Sequence, residues 1–524
     1  QSVNTDEFGK PELIGRGGFG AVYKVKHNSS DELYAIKTVT FPASSDAHKQ
    51  RVLNEVKSLE NVRSKYVVQY YTSWIDNNRL YIQMEYCPQS LRKLLADKAL
   101  AFGRQSPDEP MNAFEYFISC EIFKELLESV QYLHELNPRV IHRDLKPDNV
   151  LLTNTLSGNN NNSRRFITLG DFGLATVHDP SRHTDSRYQH SAVGTRGYIA
   201  PEVFKGRYNH KSDIYSLSII GQELFDIDLQ ASKSFEANES LFKSCMSQTL
   251  EKMMSSPRWT QRPECREVLA KHNECEILQP MTNNITPMDL NNGQSQVSQN
   301  NSYRNNFDEL GDPIGRGGFG TVFKVRHKWD GNVYAVKKVT FPVNGSDGRQ
   351  QRVLKEAQSL AKLSPQYVVR YHYSWLEDNV LYIQMEYCPQ SLRKLLADKA
   401  LAFGRQSVKP MKPFEYYISC IIFKELLECV KYLHKLDPQV IHRDLKPENI
   451  LISQNLRSNR CVKLCDFGLA TEHNPNRLSA SHTLGVGTFP YMAPEVFDDK
   501  YNPKSDIYSL GIIGKELFGI DFNL

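Results

Sequence analysis

The stretch IHRDLKPDNVLL occupies residues 141–152, and IHRDLKPENILI returns at 441–452. Each sets an aspartate, a lysine and an asparagine at the same spacing: Asp144, Lys146 and Asn149 in the first, Asp444, Lys446 and Asn449 in the second. A charged loop written twice raises two questions, whether the chain is a duplication and whether both loops carry chemistry.

Comparing the chain with itself extends the match far beyond the loop. LIGRGGFGAVYKVKH at 13–27 answers PIGRGGFGTVFKVRH at 313–327, and LYIQMEYCPQSLRKLLADKALAFGRQS is identical at 80–106 and 381–407. A period of about 300 residues is a tandem duplication of whole domains, not a solenoid of short repeats. The 524 residues also exceed what one hydrophobic core organises. The expected division is a domain over 1–272, a second over 307–524 and a linker over 273–306, whose Asn, Gln and Ser content predicts disorder. A flexible linker of that length separates its ends by roughly 30 Å and holds the two domains at an effective concentration near millimolar.

Composition excludes several classes. With 40% apolar and 24% charged residues the chain reads as globular. A net charge of +4 gives no argument for nucleic acid or a membrane surface as the main partner. Ten cysteines without a paired framework predict reduced thiols and a cytosolic or nuclear setting, of which the cytoplasmic one is expected here. No run approaches the roughly 18 to 20 apolar residues of a membrane span. The start at Gln1, without a charged-then-apolar leader, reads as that of a fragment with no secretory signal.

Within each copy, short alternating runs such as AVYKVKH, LYAIKTV and LYIQMEY predict an antiparallel sheet. A helix is predicted over 48–62, with Val52, Val56 and Leu59 on one face. After Ser90 the period becomes helical, and residues 115–136 set Phe117, Ile118, Ile122, Leu126, Val130 and Leu133 along one stripe. The expected fold class is α+β: two bilobal domains, each with a β-rich small lobe and an α-rich large lobe, the second large lobe being expected to be C-terminally truncated.

Four features carry chemistry. Gly15, Gly17 and Gly20 with Val22, repeated as Gly315, Gly317 and Gly320 with Val322, let backbone amides approach phosphate oxygens. A structural turn uses the same spacing, and so does a dinucleotide site; the latter needs a helix where a strand is predicted here. Lys37 and Lys337 lie in apolar strands, where an inward ammonium needs a carboxylate; Glu55 and Glu356 on the following helix are the expected partners. In the quoted loops, Asp144 and Asp444 can accept the proton of an attacking hydroxyl, and Lys146 and Lys446 can offset charge on a transferring phosphoryl group. Asn149 and Asn449 offer a neutral oxygen to Mg²⁺, and the DFG aspartates Asp171 and Asp466 add a hard carboxylate suited to bridging Mg²⁺ to phosphates. Any one string occurs by chance as a surface loop, but the ordered set occurring twice does not.

The ordered set resembles the eukaryotic protein kinase family over nearly the whole chain outside the linker, running on through APE (200–202 and 493–495) and SDIYSL (212–217 and 505–510). The resemblance implies ATP and Mg²⁺ as cofactors and a protein substrate; DLKP and the GTxxYxAPE segment are similar to serine/threonine, not tyrosine, kinases. It also implies an adenine pocket backed by Met84 and Met385, with Glu85, Cys87, Glu386 and Cys388 contributing to nucleotide binding. Residues 66–87 and 367–388 resemble more narrowly the kinases of the α subunit of translation initiation factor 2, of the amino-acid-starvation-sensing type, without the long insert usual there. That implies restraint of translation under stress and pairing through small lobes, in cis or in trans. A scaffold in which one copy binds nucleotide and only supports the other is the rival reading.

Both copies retain the full set, and they differ elsewhere. HTLGVGT sets Thr483 five residues before Thr488, which resembles the family's paired activation-loop threonines; HSAVGT has His190 there, leaving Ser191 and Thr195 as candidates for phosphorylation. Arg143 and Arg443 offer such a phosphate a bidentate partner. Arg262 resembles the arginine that pairs with the APE glutamate, Glu202. In the second copy Glu495 is expected to be buried without a partner. Its last helix, with Ile507, Leu510, Ile512, Ile513, Leu517 and Phe518, is expected to lack cover, so a destabilised second copy is expected. In the first copy the segment before SSPRW is short for a family whose members there dock the initiation-factor substrate. The SGNNNNS run (157–163) reads as an insert without function, and Cys465 as a buried inert thiol.

Overall fold

The computed structural model describes residues 7–17, 20–40, 62, 64–106, 109–153, 165–172, 175–178, 194–205, 209–229, 241–255, 259–275, 303–317, 320–341, 357, 360–403, 411–453, 460–473, 487–498 and 502–520. The chain falls into two compact units, Gln1–Met111 with Glu115–Cys275 and Glu276–Leu524 with the short stretch Asn112–Phe114. The expected linker lies outside the described residues except at its ends, where Cys265–Cys275 and Tyr303–Asn306 are helical. The helix predicted over 48–62 also lies outside them, apart from the buried Val62.

In the first unit, strands β1 (Glu12–Gly17), β2 (Gly20–Lys26), β3 (Leu33–Thr40), β4 (Tyr70–Asp76) and β5 (Arg79–Glu85) form an antiparallel sheet in the order β1-β2-β3-β5-β4. Alternation divides its faces. Ile36 and Val25 join Phe8 in one cluster, with Tyr23, Tyr34, Trp74 and Tyr81 packed on it. Lys37 belongs to the opposite face, in register with Val22 on one side and Ile82 on the other.

The rest of the first unit is mainly helical: α1 (Leu91–Ala101), α2 (Ala113–Glu135), α3 (Lys211–Phe225), α4 (Leu241–Met254) and α5 (Cys265–Cys275). The predicted stripe of α2, Phe117 through Leu133, is buried throughout, each such side chain contributing about 1.5–3 kcal/mol. α3 is covered on both sides. A Cβ on Gly221 would lie 2.5 Å from Leu250 Cδ2 of α4 and 3.2 Å from Phe123 of α2, so a larger residue would force these packed side chains to shift, and Ser218 Oγ donates to the Leu250 carbonyl at 2.8 Å.

The second unit repeats the sheet with one addition. Tyr303–Asn306 (α6) leads into an extra edge strand, Phe307–Glu309, paired with Gly320–His327, and Tyr303 stacks on Tyr382 at 4.7 Å between ring centres. Helices α7 (Leu392–Ala402), α8 (Pro413–His434) and α9 (Pro503–Phe518) follow. The expectation for α9 holds on one side only. Leu510, Ile513 and Leu517 are buried, and Phe518 meets Tyr416 and Phe423 of α8, whereas Ile507 is 52% exposed and its counterpart Ile214 is fully covered. Glu495 corrects the sequence reading: it is half-buried, not buried, and accepts a hydrogen bond from Ser505 Oγ at 3.4 Å.

Candidate active site

The loop 142–149 is held from below by a residue to which the sequence reading gave no role. Asp213, in the first turn of α3 and fully buried, accepts from the backbone amides of His142 and Arg143, both at 2.9 Å, and from His134 Nε2 at 2.9 Å. These bonds outweigh burial, which acts in the opposite direction, and hold its carboxyl below the ordinary range. They also fix Arg143 at φ 68°, in the left-handed region that a bulky residue rarely enters. Asp506 does the same for His442 and Arg443, both at 3.0 Å. An acid in the first turn of an otherwise largely apolar helix was the available signal.

On this support the predicted residues converge. Lys146 Nζ donates to Asp144 Oδ2 at 2.8 Å, and Asn149 Nδ2 donates to the same oxygen at 3.0 Å and to the Asp144 carbonyl at 2.9 Å. Thr195 Oγ donates to Asp144 Oδ1 at 2.8 Å and accepts from Lys146 at 2.8 Å. The second unit repeats the set through Asp444, Lys446, Asn449 and Thr488, with Lys446 2.9 Å from Asp444. Thr195 is therefore ill placed as a phosphorylation site, since a phosphate would set nearly two negative charges against Asp144. Ser191, His190 and Thr483 lie outside the described residues.

Lys37, 6% exposed, reaches Asp171 Oδ1 at 2.9 Å, and Lys337 reaches Asp466 Oδ1 at 3.3 Å. The expected partners Glu55 and Glu356 lie outside the described residues. Burial pushes both aspartates up, but the adjacent ammonium outweighs it and holds each carboxyl below its ordinary value. The donor set fits Mg²⁺. Among the described residues Asn149 spends only its amide nitrogen on Asp144 and Asp171 only Oδ1 on Lys37, which leaves hard oxygens on both.

The glycines divide by role. Gly20 and Gly320, at φ 139° and 141°, pass so close to the third strand that a Cβ would lie 2.0 and 2.4 Å from the carbonyls of Thr38 and Lys338. Their need for glycine is structural. Gly15 and Gly17 pair with Val22 and Gly20 at the strand ends, as Gly315 and Gly317 do with Val322 and Gly320.

At the end of β5, burial raises the Glu85 carboxyl, while Glu386 is bound by Lys463 at 2.5 Å and Ser453 at 2.7 Å. Burial pushes the Cys388 thiol up to about 12 and Cys87 well above its usual value, so both stay protonated. Cys465 is half-buried, more open than expected.

Two further ties were not foreseen. Arg92 of α1 binds Glu223 of α3 at 2.5 Å, Tyr198 at 2.5 Å and Asp148 of the loop at 3.4 Å, and Arg393 joins Glu516, Tyr491 and Glu448 in the same way. Because Tyr198 N donates to the Thr195 carbonyl, this tie backs the segment that meets Asp144. The pair that was foreseen is formed: Arg262 is bidentate to Glu202, at 2.6 and 2.8 Å.

Among the described residues no helix is long and apolar enough to cross a membrane. The protein kinase domain family matches residues 8–282 and 309–520. An eIF-2-alpha kinase GCN2 of Schizosaccharomyces pombe is 24% identical over 613 aligned residues, covering 88% of this chain and 36% of that protein. The interferon-induced, double-stranded RNA-activated protein kinase of Mus musculus is 29% identical over 50% of each chain. A Wee1-like protein kinase of Oryza sativa is 30% identical over 50% of this chain and 46% of its own. The chain spans half or less of the length of these relatives. It belongs to the protein kinase family, which it matches once in each of its two units.

Proposed function

We propose that the chain is an ATP-dependent serine/threonine protein kinase with two catalytic sites, acting on the α subunit of translation initiation factor 2 and so restraining translation under stress. One observation carries the kinase reading: in both units an aspartate flanked by lysine, asparagine and threonine stands with a lysine-bound second aspartate. The substrate reading is supported by the pattern at 66–87 and 367–388 and by the likeness to the yeast eIF-2-alpha kinase, which aligns over 88% of this chain. A cytoplasmic setting and pairing through small lobes belong to the same reading.

In the first unit the substrate hydroxyl gives its proton to Asp144 as its oxygen attacks the γ-phosphorus of ATP. The bond from that phosphorus to the bridging oxygen breaks, and ADP leaves with the electron pair. Thr195 and Asn149 orient the two carboxylate oxygens, and Lys146 places positive charge beside the transferring group. Mg²⁺ held by Asn149 and Asp171 would neutralise phosphate charge. Lys37 fixes Asp171 and offers its ammonium to the phosphates. Asp444, Lys446, Asn449, Asp466 and Lys337 take these roles in the second unit.

The test is transfer from Mg-ATP to the initiation-factor subunit by the full chain, by Asp144→Asn, by Asp444→Asn and by the double variant. Partial loss in each single variant and complete loss in the double is expected. Transfer surviving in the double variant would end the kinase assignment. Labelling of a generic protein but not of the factor subunit would end the substrate assignment alone. The scaffold alternative requires one single variant to be silent in effect.

A further inference from the structure

The units are near-copies, identical over 80–106 and 381–407, yet they diverge at the residue after the threonine that bonds the catalytic-loop aspartate. Thr195 is followed by Arg196 and Gly197, and Thr488 by Phe489 and Pro490. Since Thr195 Oγ lies 2.8 Å from Asp144 and Thr488 Oγ 2.8 Å from Asp444, the next residue stands one peptide, about 3.8 Å along the chain, from a group that touches the proton acceptor. A hydroxyl that gives its proton to Asp144 or Asp444 has to come within hydrogen-bond reach of that same carboxylate, which brings the residues flanking it near this position.

The backbones differ as well. Gly197 sits at φ 96° with nothing within 4 Å of where a Cβ would be. Pro490, locked near −65°, cannot take that conformation, and Phe489–Tyr491 instead form a 3₁₀ turn with Met492 N bonded to the Phe489 carbonyl at 3.3 Å. Both preceding side chains face solvent: Arg196 is exposed, and Phe489 is 78% exposed. A single exposed apolar residue is ordinary on a protein surface. An aromatic residue follows the aspartate-bound threonine in one unit and a cationic residue follows it in the other, both exposed, so the two sites differ chemically at one equivalent position.

We propose that Arg196 and Phe489 set different substrate preferences: the first unit favours an acidic residue next to the phosphoacceptor, the second an apolar one. The chain then holds two kinases of distinct specificity, not one kinase in two copies. This rests on the kinase reading above.

The experiment uses the full chain with one site silenced, Asp444→Asn to isolate the first unit and Asp144→Asn to isolate the second. Each is given peptides whose acceptor serine is flanked, on either side, by Asp, Ala, Lys or Leu. The first unit should prefer Asp over Lys by about two- to fivefold in kcat/KM, as expected of an exposed ion pair, and the preference should shrink with added salt. The second should prefer Leu over Asp by about fivefold or more, with little salt dependence. Arg196→Phe should carry the second ranking into the first unit, and Phe489→Arg the reverse. If one unit transfers nothing, the swap in the other decides by itself. Equal rankings in the two units, or rankings that the swaps leave unmoved, would overturn the proposal while leaving the kinase reading intact; no transfer by either unit to any peptide would instead remove the reading beneath it.

Discussion

Replacing Arg262 with methionine should unfold the first unit's large lobe far more readily than its burial area alone suggests. Arg262 is 1% exposed and Glu202 5%, and the guanidinium also donates to the carbonyls of Lys211 at 2.9 Å and Ser255 at 3.0 Å. Methionine fills similar space but leaves Glu202 charged and buried without its cation, a loss of about 3–5 kcal/mol. At about 2–4 °C per kcal/mol for a unit of this size, the first unit's transition should fall by roughly 6–20 °C. Calorimetry of the full chain reads the transition, and hydrogen exchange in α3 assigns it to the first unit. The double change Arg262→Met with Glu202→Gln should recover more than half the loss, since the orphaned charge is gone. In the second unit Glu495→Gln should cost no more than about 0.5 kcal/mol, because Glu495 is half-buried and hydrogen-bonded to Ser505. An Arg262→Met protein melting within about 2 °C of wild type, with α3 protection unchanged, would refute the reasoning.

Ile214→Ala should cost about 2–5 kcal/mol and Ile507→Ala under about 0.5 kcal/mol by denaturant titration, although the two sit in the same SDIYSL string. Arg92→Ala should lower kcat of the first unit about tenfold with little change in KM for ATP, because Thr195 loses the backing of Tyr198; Arg92→Lys should restore little, since a lysine cannot reach three partners at once. A rise in KM for ATP with kcat intact would count against that role. Glu264 is lowered to about 2, chiefly by the hydrogen bond from His210 at 3.0 Å and further by Lys211 at 2.6 Å. Its folded value lies below the unfolded 4.5, so its stabilisation is complete above pH 4.5 and lost as the pH falls toward 2. Glu264→Gln should flatten the thermal midpoint against pH within that window, and a curve parallel to wild type would contradict it.

Periodicity made the α2 stripe and the strands β2, β3 and β5 legible, because burial on one face forces apolar residues into a period of 3.6 or 2 whatever the partner element is. Motif spacing made Asp144, Lys146 and Asn149 legible, because five residues of tight loop suffice to bring them together. Asp213, Arg92, Tyr198 and Glu223 were not legible as parts of the site. Each is an ordinary helix or loop residue whose partner lies 25 to 131 positions away, and local pattern says nothing about such pairings.

The sequence by itself determined the duplication and the two-lobed α+β class, and it marked the candidate residues for phosphate, Mg²⁺ and a hydroxyl proton. These follow from side-chain chemistry and short spacing, which no packing can alter. Tertiary structure decided which identical strings are equivalent. Ile214 and Ile507, or Glu202 and Glu495, share their neighbours in sequence and differ in what covers them. It decided also that Thr195 serves Asp144, because a hydroxyl's role is set by the atom 2.8 Å away and not by the residues beside it in the chain.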